Sequence, residues 1–528
     1  MLVFTIFLGV ISFLFAKTWL QRRKLPPGPF PLPLIGNLHQ IGYSMLIRKR
    51  NFVDTVTEFT KEYGSVLTLW FGPMPTVNIC DYATAVEAMV KKGAAFTNRN
   101  VPYLFRLHRG DRGIIASNGP LWLEQRRFAL HTLRNFGLGR NLMEERIMYE
   151  FEIACEELEK RLDTRETSIN PAKMFDLLVA NIINRMLFTD RFEKNDEEKF
   201  FALKKKMDDL ADKFNLLDIL IDEWNVNFPL IRQRTKFLIK PFDDVLDFIR
   251  TQVEQRKRDI ANGDHVIQGE GADFVDSFLI QIKQHENSDT PTSFDEQWLL
   301  MTLLDLWAAG QETTMVTLNW AFSYLLLHPQ FKSRVEEELL SVTEGQRPLS
   351  TADRPKTPFY NAVLNEIHRC ASIFPMNTMW RDTAEDTVVG PYCIAQGTPV
   401  GAQISLIMND EKYFKDKHEF NPDRYFTDER LEQMVIPFSL GKRACPGESL
   451  AQAELYLANY WQLSSSLRVD TGPGTFTSDA SKERARPSTH CTAVPYGIRE
   501  KMNLYYTFVD DKHHFKAKKA GNFYGKPS

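Results

Sequence analysis

Cys445 stands in the run FSLGKRACPGESLA, Phe438–Ala451, and is the residue best placed to do chemistry. The segment after it, ESLAQAELYLANYWQL, has helix-forming composition, and Pro446 suits a first helical turn, where an N–H has no partner. The spacing therefore puts Cys445 at a helix N-terminus, where the dipole and free N–H groups favour a thiolate. Arg443 adds positive charge, Gly441 and Gly447 allow a tight turn against a flat ligand, and Phe438 can shield the sulfur from water. A dry, anionic sulfur suits a soft or redox metal. A buried structural thiol is the commoner fate of an isolated cysteine. Against that stands the pattern F-x-x-G-x-R-x-C-x-G, whose chance occurrence in a chain of this length is on the order of 10⁻⁴.

Three further groups need positioning. Ala308–Thr314, AAGQETT, puts Glu312 and Thr313 in the apolar middle of a helical pattern. That pattern starts at a capping box formed by Ser293 and Glu296 and stops before Pro329, a rod of roughly 50 Å. Small and hydroxyl residues at its centre are expected to loosen the backbone ladder. In NEIHR, Glu366 and Arg369 share a helix face, and FNPDRYF downstream carries Arg424. Trp122 and Arg126 are four apart and again share a face. Read separately, the last two are equally an ordinary surface ion pair and an ordinary amphipathic helix.

The chain has 528 residues, 43% hydrophobic, with a formal net charge of −3, which excludes the strong basic bias of a nucleic-acid binder. Its six cysteines are scattered with no CxxC pair, so neither a zinc site nor a disulfide framework is expected. Residues 1–20 are apolar and long enough to span a bilayer, with Lys17, Arg22, Arg23 and Lys24 late in or after the run. That order predicts an uncleaved anchor with a lumenal N-terminus and a cytosolic body. Residues 21–37 form a basic stop and a proline-rich arm, read as a semi-rigid spacer. Residues 38–509 read as one large, mainly α domain with small β-sheets, including a strand pair at 65–72 and 75–80 and helices over 141–162 and 241–261. Gly263–Asp273 reads as a polar loop. Residues 510–528, a basic tail with His513 and His514, read as disordered. Residues 214–231 are apolar and aromatic, read either as a pocket roof that dips into the membrane or as a plain core helix.

Taken together, W-x-x-x-R, the A-G-x-E-T run, E-x-x-R and the cysteine loop, in this order along the chain, resemble the cytochrome P-450 family. The wording of HTLRNFGLG and FSLGKRACPGESLA is most similar to its microsomal, animal drug- and lipid-metabolising branch, nematode members included. The resemblance implies the fold of that family and haem b with Cys445 as axial thiolate and metal ligand. It implies Trp122, Arg126 and Arg443 as propionate holders, and Glu312 and Thr313 as the catalytic residues that handle protons and dioxygen. Glu366, Arg369 and Arg424 would form a buried supporting triad.

The activity implied is monooxygenation of a lipophilic substrate, such as a xenobiotic, a fatty acid or a steroid-like molecule. Electrons would come from NADPH through a flavoprotein reductase, with cytochrome b5 as a further partner, at the endoplasmic reticulum membrane. Lys442, Arg134 and Arg140 are candidates to meet an acidic reductase. Two departures stand out. Asn377 occupies a position where relatives often place a basic propionate contact, which points to Arg381 or another residue for that role. Pro446 removes an N–H near the sulfur. The rival readings are a haem-thiolate isomerase or dehydratase, against which the Glu312-Thr313 pair argues, and a non-enzymatic haem binder, which would need no proton relay.

Overall fold

In the computed structural model, residues 2–136, 141–163, 171–286 and 291–464 are described. Cys491, Arg140 and the basic tail lie outside them. The chain is mostly helical with two small sheets, as its composition implies. The predicted strand pair is Val66–Phe71 and Met74–Ile79, antiparallel about Gly72. The second strand pairs in parallel with Pro399–Ala402, which in turn pairs with Arg381–Asp382, so a late segment of the chain is drawn onto an early hairpin. A second hairpin joins Thr387–Val389 to Tyr392–Ile394.

The largest core is helical. Helix Glu296–Leu327 runs through it, burying Leu299, Leu303, Leu304, Trp307, Met315 and Leu318 against Pro171–Phe188 and Glu448–Ser464. Gly310 permits this approach, since a Cβ there would lie 2.7 Å from Ile183 Cδ1. The helix starts two residues later than its sequence suggests: Asp295 caps it by accepting from Trp298 N, at 2.8 Å. Ser293 instead serves the helix Gly119–Asn135, its hydroxyl and carbonyl taken by Glu124 and Gln125. The ladder does not open at Ala308–Thr314. The Thr313 and Thr317 hydroxyls donate to the carbonyls four residues back, and the helix is continuous.

Three other expectations are corrected. Pro241 does not begin a helix; Pro229 takes that first-turn position, and Pro241 lies inside the continuous helix Pro229–Asn262. The proline arm is not a free spacer. Prolines lack donors but keep acceptors, and Thr68 of the outer strand uses them, its N and Oγ1 donating to Pro27 O at 2.9 Å and Pro26 O at 2.8 Å. Buried Asn37 completes the seam, accepting from Trp70 N and donating to Pro29 O. Segment 214–231 is not a core helix. After a short turn at Leu216–Leu220 it leaves Leu217, Trp224, Phe228 and Leu230 exposed, Leu230 by 82%. One helix among the described residues, Leu2–Arg22, contains a stretch long and apolar enough to cross a membrane, and it is almost wholly exposed.

Candidate active site

The cysteine loop is held from below by one glycine. Gly441 has φ +75°, and a Cβ there would lie 1.8 Å from Met89 O, so no other residue fits. Cys445 N donates to Phe438 O at 2.9 Å, closing the loop. The following helix begins at Glu448, two residues beyond Pro446, which therefore precedes the first helical turn. The N–H groups of Gly447 and Glu448 nevertheless face the sulfur. Burial pushes the Cys445 thiol up, and those N–H groups and the Arg126 charge pull against that without reversing it. The sulfur is crowded by protein yet exposed, so it opens onto a space that the protein itself does not fill. Phe438 turns its edge to His368, with ring centroids 5.4 Å apart, and lines a small cavity under the loop. Burial and Arg354 lower the His368 pKa to about 4, keeping the imidazole neutral.

Above the loop lies an electrical anomaly. Arg99, Arg126, Arg381 and Arg443 gather here, and none makes an ion pair with a carboxylate among the described residues. Burial followed by mutual repulsion lowers Arg99 to about 10, Arg381 to about 9 and Arg443 to about 8. Their donors reach mainly neutral acceptors: Arg99 to Met379 O, Arg126 to Ala444 O, Arg381 to Leu440 O and Ser439 Oγ. Arg443 lies flat over the Trp122 ring at 3.6 Å and donates to Thr97 O, Ser117 O and Asn118 Oδ1. Trp122 is buried, and its Nε1 has no partner. Buried cations without anions and an orphan N–H are both costly unless a group with carboxylates completes them. The haem propionates are such carboxylates, so the residues present fit the group.

Asn377 cannot contribute to this set. Its side chain braces its own loop, donating to Ala402 O and accepting from Met379 N. Arg381 stands in the cluster as the sequence suggests, and Arg99 joins it without any warning in the pattern around it. Only its contact with Met379, far along the chain, reveals it.

Ala309, on the central helix, is exposed although it lies amid a buried run, so this turn borders open space. The Thr313 hydroxyl is directed back to Ala309 O at 2.7 Å. Glu312 is turned elsewhere: Lys204 Nζ lies 2.5 Å from its carboxylate and also within ion-pair reach of Asp208 and Asp176. Lys204 is 3% exposed. Burial works against its charge, but the three carboxylates outweigh that and raise its pKa. Thus the structure brings Thr313 to the open turn and holds Glu312 against the helix Glu197–Lys213.

Behind the cysteine, Glu366 and Arg369 are fully buried and bidentate, with both bonds at 2.8 Å, and Arg424 joins the same carboxylate at 3.1 Å. Another buried acid, Glu454, was not singled out by any motif. Neither carboxylate oxygen has a hydrogen bond within normal reach, its nearest polar neighbour is Thr314, and burial raises its pKa to about 8. Lys442 and Arg134 are exposed.

Residues 26–472 match the family model for cytochrome P-450. A probable cytochrome P-450 of Caenorhabditis elegans, cyp-35D1, is 37% identical over 461 residues, covering 87% of this chain and 91% of the relative. Cytochrome P-450 2C5 of Oryctolagus cuniculus and 2C8 of Homo sapiens are each 34% identical, over 86% of this chain and 91% of theirs. The chain belongs to the cytochrome P-450 family of haem-thiolate monooxygenases.

Proposed function

We propose that this enzyme hydroxylates a lipophilic small molecule, and that Cys445 would hold the haem iron through its thiolate. When bound, thiolate-ligated haem supplies dioxygen reduction and oxygen insertion. The observation that carries the assignment of residues is the pairing of one open sulfur with an unpartnered indole N–H and four uncompensated guanidinium groups. Trp122, Arg99, Arg126, Arg381 and Arg443 would together hold the carboxylate oxygens. Stacking Arg443 on Trp122 orients both donors.

The N–H groups facing the sulfur and the Arg126 charge keep the ligand anionic once a metal replaces the proton. Thr313 carries the hydroxyl nearest the open turn and positions a proton donor there. Glu312, released from Lys204, would carry protons to it from the outside. Electrons would come from NADPH through a flavoprotein reductase that meets Lys442 and Arg134, with cytochrome b5 as a second donor. The helix Leu2–Arg22 would anchor the enzyme in the endoplasmic reticulum membrane with a lumenal N-terminus, since its basic residues follow the apolar run. The exposed residues Trp224, Phe228 and Leu230 would rest on the same membrane.

The test is the carbon monoxide spectrum of the reduced, haem-loaded protein, together with NADPH-dependent product formation across a lipophilic panel with reductase present. A thiolate-type band that vanishes in Cys445→Ser is expected. A band that survives this substitution would remove Cys445 from the site.

A further inference from the structure

A second cavity, of about 570 Å³, opens between the short helix Tyr103–Arg109 and one face of Pro229–Asn262. That size is within the range of small-molecule sites. Its long wall presents Arg232, Thr235, Lys236 and Ile239 at helical spacing, opposite Tyr103 and Leu107. Among the described residues, Arg232 and Lys236 make no ion pair, although one turn apart on the same face they repel each other. Lys240, one turn on, is satisfied by Asp244 at 2.5 Å. Asp243, further along the same wall, is engaged by His108 at 3.2 Å.

Thr235 is the second sign of a missing ligand. It is 5% exposed, lines the cavity, and its hydroxyl has no hydrogen-bond partner. The opposite wall is fixed in place. Arg109 is locked to Asp305 of the central helix at 2.8 Å, with its guanidinium over the Phe105 ring. The cavity is therefore built, apolar on one side, and positive at one end.

We propose that it binds an amphiphile with an anionic head, the carboxylate or phosphate held by Arg232, Lys236 and the Thr235 hydroxyl, and the chain laid along Tyr103, Leu107 and Ile239. Trp224 and Phe228, exposed just before this helix, and Leu230, exposed in its first turn, put an apolar surface beside the opening, which Val226 and Asn227 also line. None of the residues lining this cavity is among those gathered around Cys445, and its ligand need not be oxidised.

The test uses the full-length, haem-loaded chain in discs of neutral phosphatidylcholine, with the haem pocket blocked by a saturating azole. A pyrene-labelled long-chain carboxylic acid and the matching alcohol are titrated by fluorescence. The double variant Arg232→Gln/Lys236→Gln is expected to weaken acid binding by about tenfold or more, leaving the alcohol unchanged. Thr235→Val should weaken the acid by a few-fold. A second arm measures association with vesicles containing phosphatidylserine. Loss in the first arm assigns a free fatty acid as the ligand, and loss in the second alone assigns a bilayer phospholipid. The proposal is overturned if the double variant matches wild type in both arms while its carbon monoxide spectrum shows an intact haem site.

Discussion

Replacing Glu366 by glutamine tests the support of the cysteine loop with almost no change in shape. In the native chain Oε1 accepts from Arg369 Nη2, Arg424 Nε and Asn421 N, at 2.8, 3.1 and 3.0 Å. Oε2 accepts from Arg369 Nε and Tyr425 OH, at 2.8 and 3.0 Å. Glutamine keeps one oxygen but sets an NH₂ against N–H donors on the other side. It also leaves Arg369 and Arg424 as buried cations with no anion. Removing one partner of a buried ion pair costs about 3–5 kcal/mol, against under about 1 kcal/mol for a surface pair. The two arginines also hold the carbonyls of Lys415, Lys417 and Glu419, so the damage spreads into the segment leading to the cysteine loop.

The sign with pH is fixed as well. Burial alone would raise the Glu366 pKa, but the bonds and charge of Arg369 and then Arg424 more than offset it, leaving it lowered. The triad's contribution is therefore full above the ordinary carboxylate range and lost on acidification through the depressed value. Urea unfolding followed by circular dichroism, with the carbon monoxide spectrum as a second readout, measures both effects. Glu366→Gln should lose several kcal/mol at neutral pH, and its deficit should shrink in acid. A loss below about 1 kcal/mol with an unaltered spectrum would refute the reasoning.

Other outcomes follow from single contacts. Gly441→Ala should cost about 3 kcal/mol or more and largely abolish haem retention, read as haem per polypeptide after purification, because it combines a left-handed φ with a backbone collision. Glu454→Gln should remove a pH slope. A carboxyl whose folded pKa is raised to about 8 binds a proton that the unfolded chain releases near pH 4.5, so wild-type stability falls as pH rises across that window. The variant should gain on wild type there by on the order of 3–5 kcal/mol in thermal or urea unfolding, and parallel pH curves would exclude a buried neutral acid. Lys204→Met strands the carboxylates of Asp176, Asp208 and Glu312, so it should destabilise by about 3 kcal/mol in urea unfolding at neutral pH. A deficit below about 1 kcal/mol would argue against that network.

What was legible in the chain was chemistry set by short spacing. The loop around Cys445, the pairs Trp122-Arg126 and Glu366-Arg369, and the strand pair ending at Cys80 are all visible because each lies within one turn or one hairpin. Groups defined by distant partners were not. Arg99 is anchored by Met379, Lys204 by Glu312, and Arg109 by Asp305, and nothing near each residue announces its partner. Glu454 lies in an apolar helix pattern that would suit a surface carboxylate equally well. Misreadings had the same origin. The proline arm resembles a spacer until the donors of an outer strand are brought to its carbonyls. Segment 214–231 suits a pocket roof and a core helix equally well on pattern, until its aromatic residues are found outside. Pro241 resembles a helix start because one rule serves both it and Pro229.

The four uncompensated guanidinium groups also bear on how the protein is made. A newly synthesised chain that closed around them empty would trap mutually repelling ions with nothing to neutralise them. On the proposed assignment the prosthetic group would act as a counter-ion for maturation as well as a reagent, and by mass action its supply would set how much polypeptide survives. A cell short of haem should degrade this chain rather than store it.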